Sequence, residues 1–239
     1  EKLPFEKVSF TSTAEASKTN LALKGASLTL DDVQAKGDMT ISFAAQTDIF
    51  AKLSVNKLNL DKFIGSDTAP AAAAADQSQS GWDTTPLNFS GLKAVNADME
   101  IKTEGVTMRG VDIGPSLLKV KLQDGNLKFT SSEASLFEGK FSSDLSLNAA
   151  GATPTIGFNF NMTGVQANPV LTTFAHFKKL SGAADAKVSV TASGDNQKAI
   201  ISSLDGNGSV TFKNGTLEGI DLLNIAQMLQ KHLSDLGAI

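Results

Sequence analysis

Residues 155–162 read TIGFNFNM, and this stretch carries the clearest structural signal in the chain. Every second residue is large and apolar, and the residues between them are small or polar. The apolar members are Ile156, Phe158, Phe160 and Met162. Because successive side chains of a β-strand point to opposite faces, this alternation predicts a strand with one apolar face.

The same alternation recurs along the chain and predicts about a dozen short strands. The other runs are Val8-Phe10, Leu21-Leu23, Leu28-Leu30, Met39-Ile41-Phe43, Val95-Ala97-Met99-Ile101, Val106-Met108, Leu118-Val120-Leu122, Leu127-Phe129, Leu145-Leu147, Val188-Val190 and Val210-Phe212.

Turn signals separate many of these runs. Asp124-Gly125 and Asn214-Gly215 are the strongest, because Asn, Asp and Gly tolerate the positive φ of a two-residue hairpin. Lys36-Gly37, Glu104-Gly105 and Glu138-Gly139 occupy similar places. Parallel strands need crossover connections of a dozen residues or more, so closely spaced turns predict an antiparallel sheet.

A few short helices are expected as well. Asn168-Pro169 resembles an N-cap followed by a first-turn proline, and it predicts a helix that ends by Leu180. Asp195 is the expected cap of a helix that carries Ile200 and Leu204, and residues 60–64 are expected to form one turn. Asp221 is expected to begin a C-terminal amphipathic helix, whose apolar stripe includes Leu222, Ile225 and Leu229.

One composition change divides the chain. Residues 66–86 are rich in Ala, Ser and Gln and offer little to bury, which predicts a flexible linker or long loop. Residues 1–65 form an N-terminal β segment, and residues 87–239 form the larger C-terminal β domain. Because few strands lie in the first part, we expect it to continue the main sheet.

Composition excludes several classes of chemistry. The chain has no cysteine, only two histidines (His176 and His232) and one arginine (Arg109), and a net charge of −4. Thiolate metal sites and cysteine nucleophiles are therefore excluded, and electrostatic capture of nucleic acid is not supported. No spacing of His, Asp or Glu predicts a catalytic or metal site, so we expect no enzyme activity, cofactor or metal.

The long apolar face must be buried in a core or covered by a ligand, because the few predicted helices cannot cover a dozen strands. The sheet either closes on itself as a sandwich or barrel, or curls and leaves an apolar groove for a greasy ligand. The predicted fold is mainly β: a curved antiparallel sheet, as an open groove or half-barrel, with a few short helices.

Several segments resemble the AsmA family of bacterial envelope proteins. Residues 203–210 (SLDGNGSV) followed by 214–222 (NGTLEGIDL) are similar to a signature near the family's C-terminus. Residues 58–64 (LNLDKFI) and 136–141 (LFEGKF) match shorter family segments, the first followed, as in the family, by an Ala-rich linker. The resemblance covers roughly residues 50–235.

The resemblance implies a location and a role. AsmA-like proteins are held at the inner membrane by an anchor that lies outside this chain, with the rest in the periplasm. Larger relatives form β-grooves thought to carry phospholipid between the two membranes, and the family is linked to outer-membrane assembly. The family supplies no catalytic residues.

The expected ligand is therefore a phospholipid or another lipid with acyl chains. Other envelope proteins are further candidate partners. The candidate lining residues are Leu127, Phe129, Ile156, Phe158, Phe160, Met162, Val210 and Phe212, and Leu222, Ile225 and Leu229 are candidates to cap the groove end.

Two other functions stay open at this point. A closed β scaffold would act by docking other envelope proteins, for example through the strand edges near Val8-Phe10 or in the last strands. An enzyme that acts on envelope lipid or glycan would need catalysis that survives mutation of both histidines.

Overall fold

Twelve β-strands form one sheet in the computed structural model, which describes residues 7–62, 82–108 and 110–218. The expectation of a mainly β protein is confirmed. The strands are β1 (Val8–Ala16), β2 (Asn20–Leu30), β3 (Val33–Phe43), β4 (Thr47–Asn59), β5 (Val95–Met108), β6 (Val111–Ile113), β7 (Ser116–Gln123), β8 (Asn126–Leu136), β9 (Gly139–Asn148), β10 (Thr155–Gln166), β11 (Ala183–Ser193) and β12 (Asp205–Lys213).

Strand order follows chain order from β1 to β12, except that the short β6 lies off this path and pairs with β5. The sheet is open, because β1 and β12 lie at opposite ends of this order. A closed sandwich or barrel is therefore not what these residues form.

One pair departs from the predicted antiparallel arrangement. β4 and β5 run parallel, with Thr47 opposite Val95 and Asn59 opposite Thr107, whereas the other neighbouring pairs are antiparallel. Residues 60–94 connect these two strands, and a connection of that length can return the chain to the end where β4 began. The sheet is therefore mixed, with a single parallel seam.

Two predicted turns are wrong, because Lys36-Gly37 lies inside β3 and Glu104-Gly105 inside β5. Gly37 has φ +155°, and a Cβ there would lie 1.9 Å from the Lys52 carbonyl oxygen of β4. This glycine permits a close approach of two strands instead of a reversal of the chain.

The Asp124-Gly125 and Glu138-Gly139 predictions are confirmed as hairpins, β7–β8 and β8–β9. Asn214-Gly215 follows β12 but does not lead into a hairpin within the described residues. Instead, Leu217 forms an isolated antiparallel bridge with Leu180. This bridge continues the pairing of β11 and β12 beyond the ends of the two strands.

Helices are short and lie between the late strands. They are α1 (Ala167–Ala175) and α2 (Gln197–Ser202), with single 3-10 turns at Leu60–Lys62 and Ser90–Lys93. α1 ends well before Leu180, because His176 adopts the left-handed conformation with φ +52°.

The predicted caps are both displaced. Asn168 lies inside α1, and its Nδ2 donates to the Lys178 carbonyl oxygen (2.7 Å) instead of capping the helix. α2 is capped by Asn196, whose Oδ1 accepts from the Ala199 amide (2.9 Å), and not by Asp195. Ile200 lies in α2 and Leu204 just after it. The predicted helix from Asp221 lies outside the described residues.

A small apolar core lies at one end of the sheet, where β10 leads into α1. Val165 is fully buried there, and α1 packs against β10. The other buried members are Val111, Leu136, Ala167 and Ala184, with Phe141, Met162, Val170 and Leu171 among the half-buried residues around them.

The opposite end of the sheet is crossed by residues 82–94, which we call the strap. The Lys198 amide donates to the Asp83 carbonyl oxygen (3.0 Å), and the Leu87 amide donates to that of Asp195 (2.7 Å). At the far end of the strap, Gln46 Nε2 donates to the Lys93 carbonyl oxygen (2.9 Å). The strap therefore runs from the beginning of α2 to the beginning of β5. Its first residues, 82–86, are the described part of the predicted linker.

Candidate functional site: one apolar face of the sheet

Strand register decides which side chains share a face. Residues directly opposite each other in neighbouring strands present their side chains on the same side of the sheet. Phe158 of β10 lies opposite Leu145 of β9 and Val190 of β11, and Leu145 in turn lies opposite Phe129 of β8. Four neighbouring strands therefore place these apolar side chains on one side.

The same register brings all eight predicted lining residues together. Ile156 lies opposite Leu147, which lies opposite Leu127; Met162 lies opposite Ala186, which lies opposite Val210. Phe160 is on the same face by alternation, and Phe212 by alternation from Val210. We call this side of the sheet the apolar face. Its eight predicted residues are Leu127, Phe129, Ile156, Phe158, Phe160, Met162, Val210 and Phe212.

The apolar face continues across the parallel seam into the first strands. The registers link Leu122 to Ala97, Ala97 to Ile49, Ile49 to Ile41, and Ile41 to Leu21. Leu28 and Leu30 face Phe10 and Val8 at the far edge. The face therefore extends over eleven strands, from β1 to β12.

Sequence reasoning missed the contribution of β4. Ile49, Ala51, Leu53 and Val55 alternate along this strand, which is the same signal that identified the others. The exposed aromatic Phe50 interrupts the apolar–polar pattern and hides it.

Burial varies along the apolar face. Leu127, Phe129, Ile156, Phe160 and Met162 are half-buried by their neighbours in the sheet. Phe158 is 38% exposed, Phe212 44% and Val210 58%; at the other edge Phe10 is 54% and Val8 59% exposed. The described residues form one sheet with no second sheet packed on it, so large apolar side chains stay accessible.

Aromatic rings form a ridge within this face. Phe160 lies between Phe141 and Phe158, with 6.3 Å between ring centroids in both pairs. Beyond the ridge, Gly208 and Gly206 of β12 lie opposite Val188 and Val190, so the surface there is built from small side chains.

The opposite face of the sheet is polar. A depression of about 560 Å³ lies over β9 to β12. Its polar lining side chains are Ser142, Asp144, Asn159, Asn161, Lys187, Ser189, Asn207 and Ser209. The sheet as a whole is therefore amphipathic, with apolar and polar residues separated onto its two sides.

Charged groups on the polar side are held by specific partners. Asp185 accepts from Lys213 Nζ and from the Gly164 amide (2.8 Å), and these bonds lower the pKa of its carboxyl group. Asp112 accepts from Thr107 Oγ1 (2.5 Å) and pairs with Lys57 (3.0 Å), which likewise lowers its pKa. Both carboxylates are bonded at strand ends, and Asp112 shares a shallow cleft with Glu104 and Glu138.

The described residues contain no group of three or more His, Asp or Glu side chains placed to hold a metal ion. His176 is exposed at the C-terminal end of α1, and His232 lies outside the described residues. None of the described helices has both the length and the hydropathy of a membrane-spanning segment. The candidate capping residues Leu222, Ile225 and Leu229 also lie beyond the described residues.

Sequence comparison relates the chain to known proteins. Protein AsmA from Escherichia coli (strain K12) is 23% identical to the chain over 234 residues. That alignment covers 93% of this chain but 37% of the relative, so the chain spans little more than a third of that protein's length. No solved structure matches the chain. The profile of the AsmA family matches residues 6–238, nearly the whole sequence, and the chain therefore belongs to the AsmA family.

Proposed function

We propose that the apolar face binds the acyl chains of phospholipids and forms part of a lipid path between the inner and outer membranes. In this proposal the chain is a non-enzymatic periplasmic domain that supports outer-membrane assembly. An anchor outside this chain holds the full-length protein at the inner membrane. The supporting observation is the register that places apolar side chains on one side of eleven consecutive strands.

The dimensions of the face suit extended hydrocarbon. The four apolar positions of β10, from Ile156 to Met162, span about 20 Å along the strand. Each methylene removed from water contributes about 0.8 kcal/mol, so ten methylenes contribute about 8 kcal/mol before the cost of ordering the chain. We therefore expect lipid to be retained during gentle purification.

The chemistry of the face favours acyl chains over a particular headgroup. Polar side chains on this side are few and small, such as the buried hydroxyls of Thr103, Ser131 and Ser143. Thr103 Oγ1 is already hydrogen-bonded to the Asn56 and Gly105 carbonyl oxygens. An apolar surface of this kind recognises hydrocarbon and discriminates weakly between headgroups, as a conduit requires.

The edges of the sheet favour a second candidate function. β1 and β12 each pair with one neighbour within the described residues, and Val8 and Phe10 are more than half exposed. Such an edge can accept a strand of another envelope protein. In this alternative the chain is a β scaffold whose role is protein docking and not lipid binding.

Native mass spectrometry of the gently purified protein, together with lipid extraction, distinguishes lipid binding from protein docking. Adducts of phospholipid mass are expected if the apolar face binds lipid, and an apolar fluorescent dye should bind at neutral pH. A lipid-free mass combined with no dye uptake would contradict the lipid path and favour the docking scaffold.

A further inference from the structure

A second cluster of exposed apolar side chains lies at the strap end of the sheet. Four large side chains are exposed there: Trp82 (48%), Leu87 (45%), Ile201 (39%) and Leu204 (56%). We call these four residues the corner patch. Trp82 is the only tryptophan in the chain.

Hydrogen bonds bring these residues together although 119 positions separate Trp82 from Ile201 in the sequence. The Asp83 amide donates to Gln197 Oε1 (3.2 Å), and the Lys198 amide donates to the Asp83 carbonyl oxygen (3.0 Å). Trp82 is therefore held beside the first turn of α2.

Helix geometry places the other members on the same corner. Ile201 follows Gln197 by four residues, so both lie on one side of α2. The other side of α2 faces the sheet, because Ala199 and the Ile200 backbone lie against Gly194. Leu204 lies two residues after the end of α2. Leu87 is held near the beginning of α2, because its amide donates to the Asp195 carbonyl oxygen (2.7 Å).

We propose that the corner patch inserts into the surface of a phospholipid bilayer. Tryptophan favours the boundary between headgroups and hydrocarbon, where its ring is buried and its indole N–H keeps a polar partner. The aliphatic side chains beside it are exposed on a loop and a short helix, which can enter that boundary without opening the sheet.

Size argues against a protein as the occupant. Four side chains exposed to about half of their area present a few hundred Å², whereas a stable protein interface buries about 800 Å² on each partner. Insertion into a bilayer needs no matching surface of that size.

The charges beside the corner patch indicate which lipid headgroups it can approach. Asp83, Asp195 and Asp205 lie beside the patch, with Lys198 as the neighbouring cation. Excess negative charge is repelled by anionic headgroups, so zwitterionic lipid is the expected surface.

The purpose of this contact rests on the proposed function. The corner patch would hold the sheet at the membrane with which the apolar face exchanges lipid.

Intrinsic fluorescence tests this directly, because the chain has one tryptophan and no tyrosine. Vesicles of phosphatidylcholine should shift the Trp82 emission to shorter wavelength, and lipids brominated on their acyl chains should quench it. Adding phosphatidylglycerol should weaken binding. An unchanged emission, or binding that requires the anionic lipid, would overturn the proposal.

Variants locate the contact. Ile201→Asp and Leu204→Asp should each reduce vesicle affinity about tenfold or more. Phe50→Asp is the matched control, since Phe50 is an equally exposed aromatic (51%) on the polar face, and it should bind like the parent protein. Circular dichroism checks that each variant folds. Equal losses in all three variants would contradict a specific patch.

The same measurements test membrane insertion of the corner patch independently of the lipid path. Native mass spectra of Leu204→Asp should still show phospholipid adducts. A vesicle-induced shift without adducts in the parent protein would support the patch and contradict the lipid path, and adducts without a shift would do the reverse. A shift that depends on protein concentration, without vesicles, would assign the patch to self-association and overturn its membrane role.

Discussion

Phe158 and Phe160 lie side by side on the apolar face, with ring centroids 6.3 Å apart and planes inclined by 27°. The residue between them, Asn159, lines the depression on the polar face. One strand therefore presents stacked aromatic rings on one side and an amide on the other, and this contrast makes the lipid path testable with single substitutions.

Phe158→Asp and Phe160→Asp should each reduce phospholipid retention about tenfold or more while the protein stays folded. A carboxylate removes apolar contact worth about 2 kcal/mol and places a charge against hydrocarbon. Native mass spectrometry after gentle purification measures retention, and Asn159→Asp is the control that should retain lipid. If both phenylalanine variants fail to fold, the face belongs to a closed core.

Val165→Ala should lower the free energy of unfolding by about 2 kcal/mol, because Val165 is fully buried in the core beside α1. Urea unfolding followed by circular dichroism gives the difference. Val210→Ala removes the same atoms from a residue that is 58% exposed, so its change should stay within about 0.5 kcal/mol. Equal effects at both positions would mean that β12 is as well packed as the core.

Gly37→Ala should destabilise the protein by about 2 kcal/mol or more. The added Cβ would lie 1.9 Å from the Lys52 carbonyl oxygen, and the φ of +155° is unfavourable for alanine. Gly91→Ala is the matched control, since a Cβ there meets no atom within 4 Å. A Gly37→Ala protein as stable as the parent would show that β3 and β4 do not approach closely at this point.

The bond between Asp185 and Lys213 should make part of the stability depend on pH. The pKa of Asp185 in the folded protein is lowered below 3.8, first by the Lys213 hydrogen bond and then by the Gly164 amide. Its contribution is therefore present above about pH 4 and is lost as the pH falls through the lowered pKa. Asp185→Asn should be less stable than the parent at pH 7, and the difference should shrink as the pH falls through the lowered pKa of Asp185.

Unfolding curves of both proteins between pH 7 and 2 measure this. Lys213→Gln should show a smaller loss of the same kind, because the Gly164 amide still binds the carboxylate. A stability difference that is independent of pH would exclude the carboxylate charge as its cause.

Local pattern was enough to predict the apolar side of most strands. Alternation alone assigns Ile156, Phe158 and Phe160 to one side, because the two-residue period is a property of the single strand. The cross-strand registers that join Met162 to Val210 through Ala186 could not be predicted in this way, since they depend on turns and bulges along several strands.

Long-range contacts account for what was missed. Lys36-Gly37 has the sequence of a turn, but its conformation is decided by β4 packing closely against it. The strap depends on a hydrogen bond between Asp83 and Gln197, which are far apart in the sequence, and no local pattern indicates that contact. The corner patch could not be predicted for the same reason, because its members come from separate parts of the chain.

The parallel seam between β4 and β5 has a consequence for the order of folding. Most other neighbouring strands are joined by short turns and can form as successive hairpins. The seam must close a loop of roughly 35 residues, which costs about 2–3 kcal/mol more in chain entropy than a two-residue turn. The strands on each side of the seam, β1–β4 and β5–β12, are therefore expected to pair among themselves first. Docking of β4 on β5 is then the slow step in folding.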